Sequence, residues 1–179
     1  MKNALEKENL LIEEAKSNPE KFAAIYDKYV EQIYRYVYRR VNDQAIAEDL
    51  VSQSFYDALS HLKSYQFKGY PFSAWLYKIA HNNVLKWYRT NSRYQKVDLE
   101  EVAELRDDSY DLEEEIDVQE EGLGVKAAMD KLDNEERELI RLKYFEEVSN
   151  IEIGQIMGIT ANNVGVKLYR ALKRLKQLI

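Results

Sequence analysis

The chain has 179 residues, of which 45% are apolar, two are proline, six are glycine and none is cysteine. This length allows one domain or two small ones, and the scarcity of proline and glycine favours an all-α protein. Without cysteine there are no disulfides and no cysteine-ligated metals. No apolar run reaches the length of a membrane span, and the charged N-terminus lacks a signal-peptide core. We therefore expect a cytoplasmic protein with no membrane insertion.

The formal net charge of −6 is unevenly distributed along the chain. Residues 21–96 carry 12 basic and 6 acidic side chains, residues 97–124 carry 1 and 13, and residues 125–179 carry 10 and 8. Like-charge repulsion prevents the acidic segment from contributing much core. We predict two small helical domains, residues 1–96 and 125–179, joined by an acidic flexible linker of residues 97–124 that also shields the basic surfaces when DNA is absent.

The first domain begins with helical patterns. Residues 4–16 form one candidate helix, after which Asn18 is a suitable N-cap and Pro19 suits a first helical position. Asn42 and Asp43 end the second helix. Its predicted apolar face consists of Phe22, Ile25, Tyr26, Tyr29, Ile33, Val37 and Val41.

The next predicted helix spans residues 44–60 and has one apolar and one polar side. We expect Leu50, Ala58 and Leu59 to be buried, with Ile46 or Phe55 assisting. The predicted exposed side carries Glu48, Asp49, Ser52, Gln53 and Asp57.

Residues 63–71 mix aromatic and basic side chains in a segment predicted to be a loop. Aromatic rings stack on unpaired bases with little sequence preference, and lysines bind the phosphates. The loop is therefore typical of single-stranded DNA binding, although tyrosines at such spacing also occur in cores. The relevant residues are Lys63, Tyr65, Phe67, Lys68 and Tyr70.

The helix that follows, with Ser73 as its predicted cap, has an apolar and a basic face. The apolar side is predicted to hold Trp75, Leu76, Ile79, Ala80 and Val84. Polar and basic residues recur at steps of three or four, which places them on one helical face suited to DNA. They are Lys78, Asn82, Lys86, Arg89 and Arg93.

Residues 149–176 have the pattern of two helices joined by a tight turn. Ser149 and Glu152 have the spacing of a capping box, and Gly158 suits the left-handed residue that ends a helix. Thr160 caps the second helix. Gly154 is the small residue that close crossing in a helix-turn-helix requires.

The second helix of this pair has a one-sided charge distribution. Its apolar stripe consists of Val164, Leu168, Ala171, Leu172 and Leu175, and its basic residues are Lys167, Arg170, Lys173, Arg174 and Lys176. Cap chemistry, spacing and charge together favour a DNA-binding helix-turn-helix, the alternative being an ordinary helical hairpin with a solvated basic face.

Four segments resemble the extracytoplasmic-function sigma factors of bacterial RNA polymerase, the compact class with only the second and fourth conserved regions. AEDLVSQSFYDAL (47–59) resembles the helix that docks on the polymerase clamp coiled coil, and FSAWLYKIAHNNVLKWYR (72–89) the segment that contacts the minus-10 element. The loop before the latter resembles the one that captures flipped-out bases. Residues 132–175 resemble the fourth region, which binds the polymerase flap and the minus-35 element.

The resemblance implies specific partners and contacts. The partners are the RNA polymerase core, promoter DNA and an anti-sigma factor, and no cofactor or metal is implied. The implied polymerase contacts are Glu48, Asp49, Ser52 and Gln53. In the segments that resemble the minus-10 region, the residues already predicted to bind DNA are Lys63, Tyr65, Lys68, Lys78, Asn82, Lys86, Arg89 and Arg93. The implied minus-35 contacts are Asn162, Asn163, Lys167 and Arg170, and Lys173 on the same helix is a further predicted DNA contact.

The sequence departs from the family pattern at two places. Gly165 and Val166 replace residues that are usually polar on the recognition helix, and Ser52 and Gln53 stand where glutamine and an acid are frequent. Two other functions therefore stay open: a sigma-like mimic that occupies an anti-sigma factor, and a stand-alone helix-turn-helix regulator. An enzyme is not expected, because the chain offers no nucleophile or metal constellation.

Overall fold

The computed structural model describes the backbone of residues 2–95 and 120–179 and the side chains of residues 5–91 and 124–179. The chain divides between residues 106 and 107 into an N-terminal and a C-terminal unit. All regular structure in the described ranges is helical, as predicted. Most of the predicted linker lies outside the described residues, and its last residues, from Glu120, belong to a helix.

Local sequence chemistry predicts where α2 and α3 of the N-terminal unit begin and where α2 ends. The α-helices are α1 (Lys2–Ser17), α2 (Phe22–Val41), α3 (Gln44–His61) and α4 (Phe72–Gln95). Oδ1 of Asn18 accepts the N–H of Glu20 at 3.1 Å, which starts a short 3₁₀ turn, Pro19–Lys21, before α2. Asn42 ends α2 in the left-handed conformation, and Oδ1 of Asp43 caps α3 by accepting the N–H of Ile46 at 2.9 Å.

The core of the N-terminal unit lies where α2, α3 and α4 pack against one another. From α2 it receives Phe22, Ile25, Tyr29, Ile33, Tyr36 and Val37, and from α3 Ala47, Val51, Phe55 and Ala58. The predicted burial of Leu59 and Tyr26 is wrong, because their side chains are 38% and 40% exposed, although the ring of Tyr26 packs edge-on against that of Phe55. Leu50 is half-buried.

Helix α4 differs from its prediction in its start and in its core residues. It begins at Phe72, so Ser73 lies inside the helix and is not its cap. Leu76, Ala80 and Val84 are buried as predicted, whereas Trp75 and Ile79 are half-buried. Tyr77, one residue after Leu76, is also fully buried, and its hydroxyl accepts a hydrogen bond from Nε2 of Gln32 at 2.8 Å.

Four α-helices form the described part of the C-terminal unit. They are α5 (Glu120–Asp130), α6 (Asn134–Ile140), α7 (Asn150–Met157) and α8 (Ala161–Leu178), with a π-helical turn, Arg141–Phe145, after α6. The capping box of Ser149 and Glu152 is formed, with bonds of 3.3 and 2.9 Å. Gly158 ends α7 at φ +73°, and Thr160 caps α8. The helix-turn-helix prediction is therefore confirmed.

The apolar stripe of α8 is shorter than predicted. Val164, Leu168 and Ala171 are buried against α6 and α7. Leu175 is half-buried and Leu172 is exposed, so the prediction for Leu172 is wrong. The reason is that the partner helices cover only one side of α8 and not the wider arc that the sequence pattern suggested.

Candidate polymerase and nucleic-acid interfaces

Helix α3 presents one polar face to solvent. Val51, Phe55 and Ala58 follow one another at steps of four and three and are buried, which fixes the rotation of the helix. The predicted polymerase contacts lie outside this buried stripe. Glu48, Asp49, Ser52 and Gln53 are all exposed, and we call them the polar face of α3.

Helix α4 presents a second exposed face, which is basic. Leu76, Ala80 and Val84 bury the inner side of the helix, and the predicted DNA contacts project from the outer side. Lys78, Asn82, Lys86 and Arg89 are exposed, and we call them the basic face of α4. The side chain of Arg93 lies outside the described residues.

Gln53 of the polar face of α3 is linked to Asn83 on α4 by a hydrogen-bond chain that the sequence did not predict. Nδ2 of Asn83 donates to Oγ of Ser54 at 3.1 Å and to Oδ2 of Asp57 at 3.0 Å. Oδ1 of Asp57 accepts from Nε2 of Gln53 at 2.8 Å. The sequence hinted at this chain only through Asn83, a polar residue next to Asn82 on the predicted DNA-binding helix. Its partners on α3 are 26 and 29 residues away in the chain.

In the aromatic and basic loop, one predicted DNA contact is buried. Lys63 lies in a 3₁₀ turn, Leu62–Ser64, and Lys63, Phe67 and Lys68 are exposed. Tyr65 is only 9% exposed, and its ring packs against those of Phe72 and Trp75 with centroids 5.0 and 4.9 Å away.

Tyr65 therefore has little free ring surface for a base, and the prediction for its ring needs correction. Burial, together with nearby Glu8 and Glu13, raises the pKa of its hydroxyl to about 12. The side chain thus stays neutral and serves the core. Phe67 is an aromatic residue of this loop that the fold leaves accessible.

A buried carboxylate, which sequence reasoning missed, lies next to this loop. Oε1 of Glu8 accepts hydrogen bonds from Nζ of Lys28, at 2.5 Å, and from the hydroxyl of Tyr29, while Oε2 accepts the N–H of Phe72 at 2.8 Å. Burial by itself would raise the pKa of Glu8, but these three donors outweigh burial and lower it below its ordinary value. Glu8 is therefore ionised at neutral pH.

On α8, the predicted minus-35 contacts differ in their freedom to bind DNA. Asn162, Asn163, Arg170 and Lys173 are exposed. Nζ of Lys167 instead forms an ion pair with Oε2 of Glu135 on α6 at 2.6 Å. This pair has to open before Lys167 can reach a phosphate.

Comparison with known proteins identifies the family. Residues 25–94 match Sigma-70 region 2, and residues 123–175 match Sigma-70, region 4. The chain is 32% identical over 157 residues to the RNA polymerase sigma factor YlaC of Bacillus subtilis, covering 86% of this chain and 88% of YlaC. It is 28% identical over 170 residues to the ECF RNA polymerase sigma factor BldN of Streptomyces coelicolor, covering 94% of this chain and 64% of BldN. The chain belongs to the extracytoplasmic-function family of RNA polymerase sigma factors.

The fold of this sigma factor is shared with solved structures. The structure of CnrH in complex with the cytosolic domain of CnrY superposes with a TM-score of 0.68 at 20% identity, covering 96% of both chains. The sigma factor RpoE from Bartonella quintana, in complex with the anti-sigma factor NepR, gives 0.67 at 20% identity, covering 89% of this chain and 96% of RpoE.

Family membership gives this sigma factor its role in transcription initiation, with RNA polymerase and promoter DNA as partners. In the described parts of the chain, no helix combines the length and apolar character needed to cross a membrane. Over the same residues, no three potential metal ligands come together. The assignment of individual contacts to polymerase, minus-10 or minus-35 DNA stays a prediction.

Proposed function

We propose that this sigma factor docks on the clamp coiled coil of RNA polymerase through the polar face of α3 and on the minus-10 element through the basic face of α4. The observation that supports this proposal is the pairing of the two faces. Helices α3 and α4 pack against each other, yet Glu48 and Asp49 are exposed on one and Lys78 and Lys86 on the other. An acidic surface suits a protein partner, and a basic surface on the neighbouring helix suits DNA.

The loop of residues 66–71 captures unstacked bases in this proposal. Opening a duplex costs a few kcal/mol per unstacked step, so the freed bases need a favourable site on the protein. Phe67 offers an exposed ring, and Lys63 and Lys68 offer exposed charges beside it. Tyr65 supports the loop from the core and is not among the proposed contacts.

The C-terminal unit binds the minus-35 element and the polymerase flap in this proposal. Asn162 and Asn163 stand in the first turn of α8, where the side chains of a recognition helix reach base edges, and Arg170 and Lys173 face phosphates farther along. Residues 97–124 serve as the tether between the minus-10 domain (1–96) and the minus-35 domain (125–179), so that two modest affinities combine.

The remaining parts of the proposal concern regulation and location. Similar folds occur in complexes with CnrY and with the anti-sigma factor NepR, which supports an anti-sigma partner for this chain as well. The factor acts in the cytoplasm together with polymerase and catalyses no reaction of its own.

Reconstituted transcription tests the proposed function. Core polymerase with this factor is expected to yield transcripts from promoters identified by sequencing the DNA bound to the holoenzyme. A factor that binds an anti-sigma protein but never supports transcription would be a mimic, and one that binds duplex DNA specifically without polymerase would be a stand-alone regulator. Either result contradicts the proposal.

A further inference from the structure

Helix α1 lies upstream of the residues that match Sigma-70 region 2, yet it is firmly packed into the N-terminal unit. Glu8, Ile12 and Ala15 follow one another at helical spacing and are all buried. Ile12 and Ala15 are apolar, so Glu8 is the charged residue among these three buried positions. Burying a carboxylate costs free energy unless it is paired and hydrogen-bonded. The partners of Glu8 therefore indicate its structural role.

One partner of Glu8 is the start of α4. The first N–H groups of a helix have no acceptor within that helix, and Pro71, which precedes α4, has no side-chain acceptor to offer. Oε2 of Glu8 accepts the N–H of Phe72 at 2.8 Å from a position 64 residues earlier in the chain. Negative charge is also favourable at a helix N-terminus. Glu8 thus caps α4, while Lys28 and Tyr29 hold its other oxygen in place.

The same helix also contacts the other end of the loop. Nζ of Lys16 donates to the carbonyl oxygen of Tyr65 at 2.8 Å and forms an ion pair with Glu13 at 2.7 Å. The side chain of Lys16 is only 17% exposed, so this bond is largely shielded from water. Glu8 and Lys16 are about two helical turns apart, a rise of roughly 12 Å.

The bonds of Lys16 and Glu8 enclose the segment between Tyr65 and Phe72. Within that segment, Gln66, Phe67, Lys68 and Gly69 are exposed, and Gly69 has φ +80°. The exposed part of the loop is thus fixed at both ends by one rigid helix.

We propose that α1 sets the conformation of the loop of residues 66–71, with Glu8 and Lys16 as positioning residues at its two ends. This inference rests on the proposed capture of unstacked bases by that loop. A loop with fixed ends loses less conformational entropy when it binds, so α1 favours strand opening without touching DNA. Removing either bond leaves the contacts to polymerase unchanged but makes base capture less favourable.

The test uses the full chain with the variants Lys16→Met and Glu8→Gln, both of which keep side-chain size. The matched controls are Lys7→Met and Glu6→Gln, which make the same chemical changes at exposed positions of α1. Three quantities are measured: affinity for core polymerase, the rate of open-complex formation from the permanganate reactivity of unpaired thymines, and hydrogen exchange of the amides of residues 66–70 and of Phe72.

We expect Lys16→Met and Glu8→Gln to slow opening by roughly tenfold, which corresponds to about 1.4 kcal/mol. Core affinity stays at the wild-type value, the amides of the loop exchange faster, and those of α3 do not. Both controls behave as wild type. If Glu8→Gln unfolds the N-terminal unit, the test rests on Lys16→Met alone. The charge of Lys16 is not fully buried, so its removal is less disruptive to the fold.

Two further variants separate failure of this inference from failure of the proposed function. Phe67→Ala and Lys68→Ala alter the loop itself. If both open promoters at the wild-type rate, the base-capturing role of the loop is wrong. If they slow opening whereas Lys16→Met does not, the loop works without α1 and the positioning role is wrong. Faster exchange throughout the N-terminal unit in Lys16→Met would also overturn it.

Discussion

Gly154 lies against the backbone of Ile159 so closely that a Cβ at position 154 would be 2.6 Å from the carbonyl oxygen of Ile159. The N–H groups of Gly158 and Ile159 both donate hydrogen bonds to the carbonyl oxygen of Gly154. This is the turn between α7 and α8, and it is tight because residue 154 has no side chain. The angle between the two helices therefore depends on this glycine.

Replacing Gly154 with alanine should destabilise the C-terminal unit. The new methyl group meets backbone atoms that cannot rotate away, and overpacking of this kind costs about 1 to 3 kcal/mol. Urea unfolding followed by far-UV circular dichroism, with hydrogen exchange of residues 150–178, measures the destabilisation. Exchange is needed because both tryptophans, Trp75 and Trp87, lie in the other unit.

Gly165→Ala is the matched control for that substitution. The atom nearest to a Cβ added at position 165 is Nδ2 of Asn150, at 3.8 Å, which is an ordinary van der Waals contact. Alanine is favoured over glycine inside a helix by about 1 kcal/mol, so this variant should be more stable than wild type. Equal effects of the two substitutions would show that helix propensity, and not the close approach at Gly154, governs the turn.

Asp49→Lys should weaken binding to core polymerase by roughly tenfold or more, because it replaces one of the two negative charges of the polar face of α3 with a positive one, and like charges across an interface cost several kcal/mol. Asp49 is exposed, so the fold should be retained. Fluorescence anisotropy of labelled factor titrated with core polymerase measures the change. Glu14→Lys makes the same charge change at an exposed site on α1 and should bind normally. Wild-type binding by Asp49→Lys would remove α3 from the docking surface.

Lys86→Ala should reduce the salt dependence of promoter binding by the holoenzyme. Removing one lysine that binds a phosphate lowers the slope of log affinity against log salt by roughly 0.7 to 0.9, the range from single strands to duplex. The slope is measured by repeating the binding titration at several salt concentrations. Lys7→Ala, which removes a charge from α1, should leave the slope unchanged. A wild-type slope for Lys86→Ala would exclude this residue from the interface.

Glu135→Gln should strengthen duplex binding by the recognition helix. The ion pair of Lys167 and Glu135, at 2.6 Å, competes with phosphate for the same ammonium group. Exposed pairs are worth about 0.2 to 1 kcal/mol, so removing the carboxylate should raise affinity by roughly 1.4- to fivefold at low salt and less at high salt. The control is Asp130→Asn. It also removes a negative charge, but from an aspartate that pairs with Arg137 and not with Lys167. Equal gains from both variants would indicate a general charge effect.

Glu8 should make the stability of the N-terminal unit sensitive to acid. Its pKa in the folded chain is lowered from the ordinary 4.5, so the unfolded chain binds the proton more readily than the folded one. The stabilisation is complete above the ordinary pKa and is lost as pH falls through the lower folded value. Tryptophan-monitored unfolding between pH 6 and about pH 3 should show a steeper decline in stability for wild type than for Glu8→Gln. Parallel curves would mean that Glu8 contributes no such linkage.

Several helix boundaries and the helix-turn-helix could be predicted from the sequence because their causes are local. Asn18, Asp43, Ser149 and Thr160 each cap a helix through an N–H two or three residues away. Such a bond forms whatever the rest of the chain does, so spacing and residue type suffice to predict it. The same holds for Gly158, whose conformation is set by its own missing side chain.

The contacts between residues far apart in the chain were decided by the tertiary structure alone. Tyr65 looked free to stack on a base, but Phe72 and Trp75 cover its ring. Lys167 looked free to bind phosphate, but Glu135, 32 residues earlier, forms an ion pair with it. Ser73 looked like the cap of α4, but Glu8 supplies the acceptor from α1. Periodicity indicates which face of a helix turns inward; it carries no information about which distant side chain lies there, because that depends on how the helices pack.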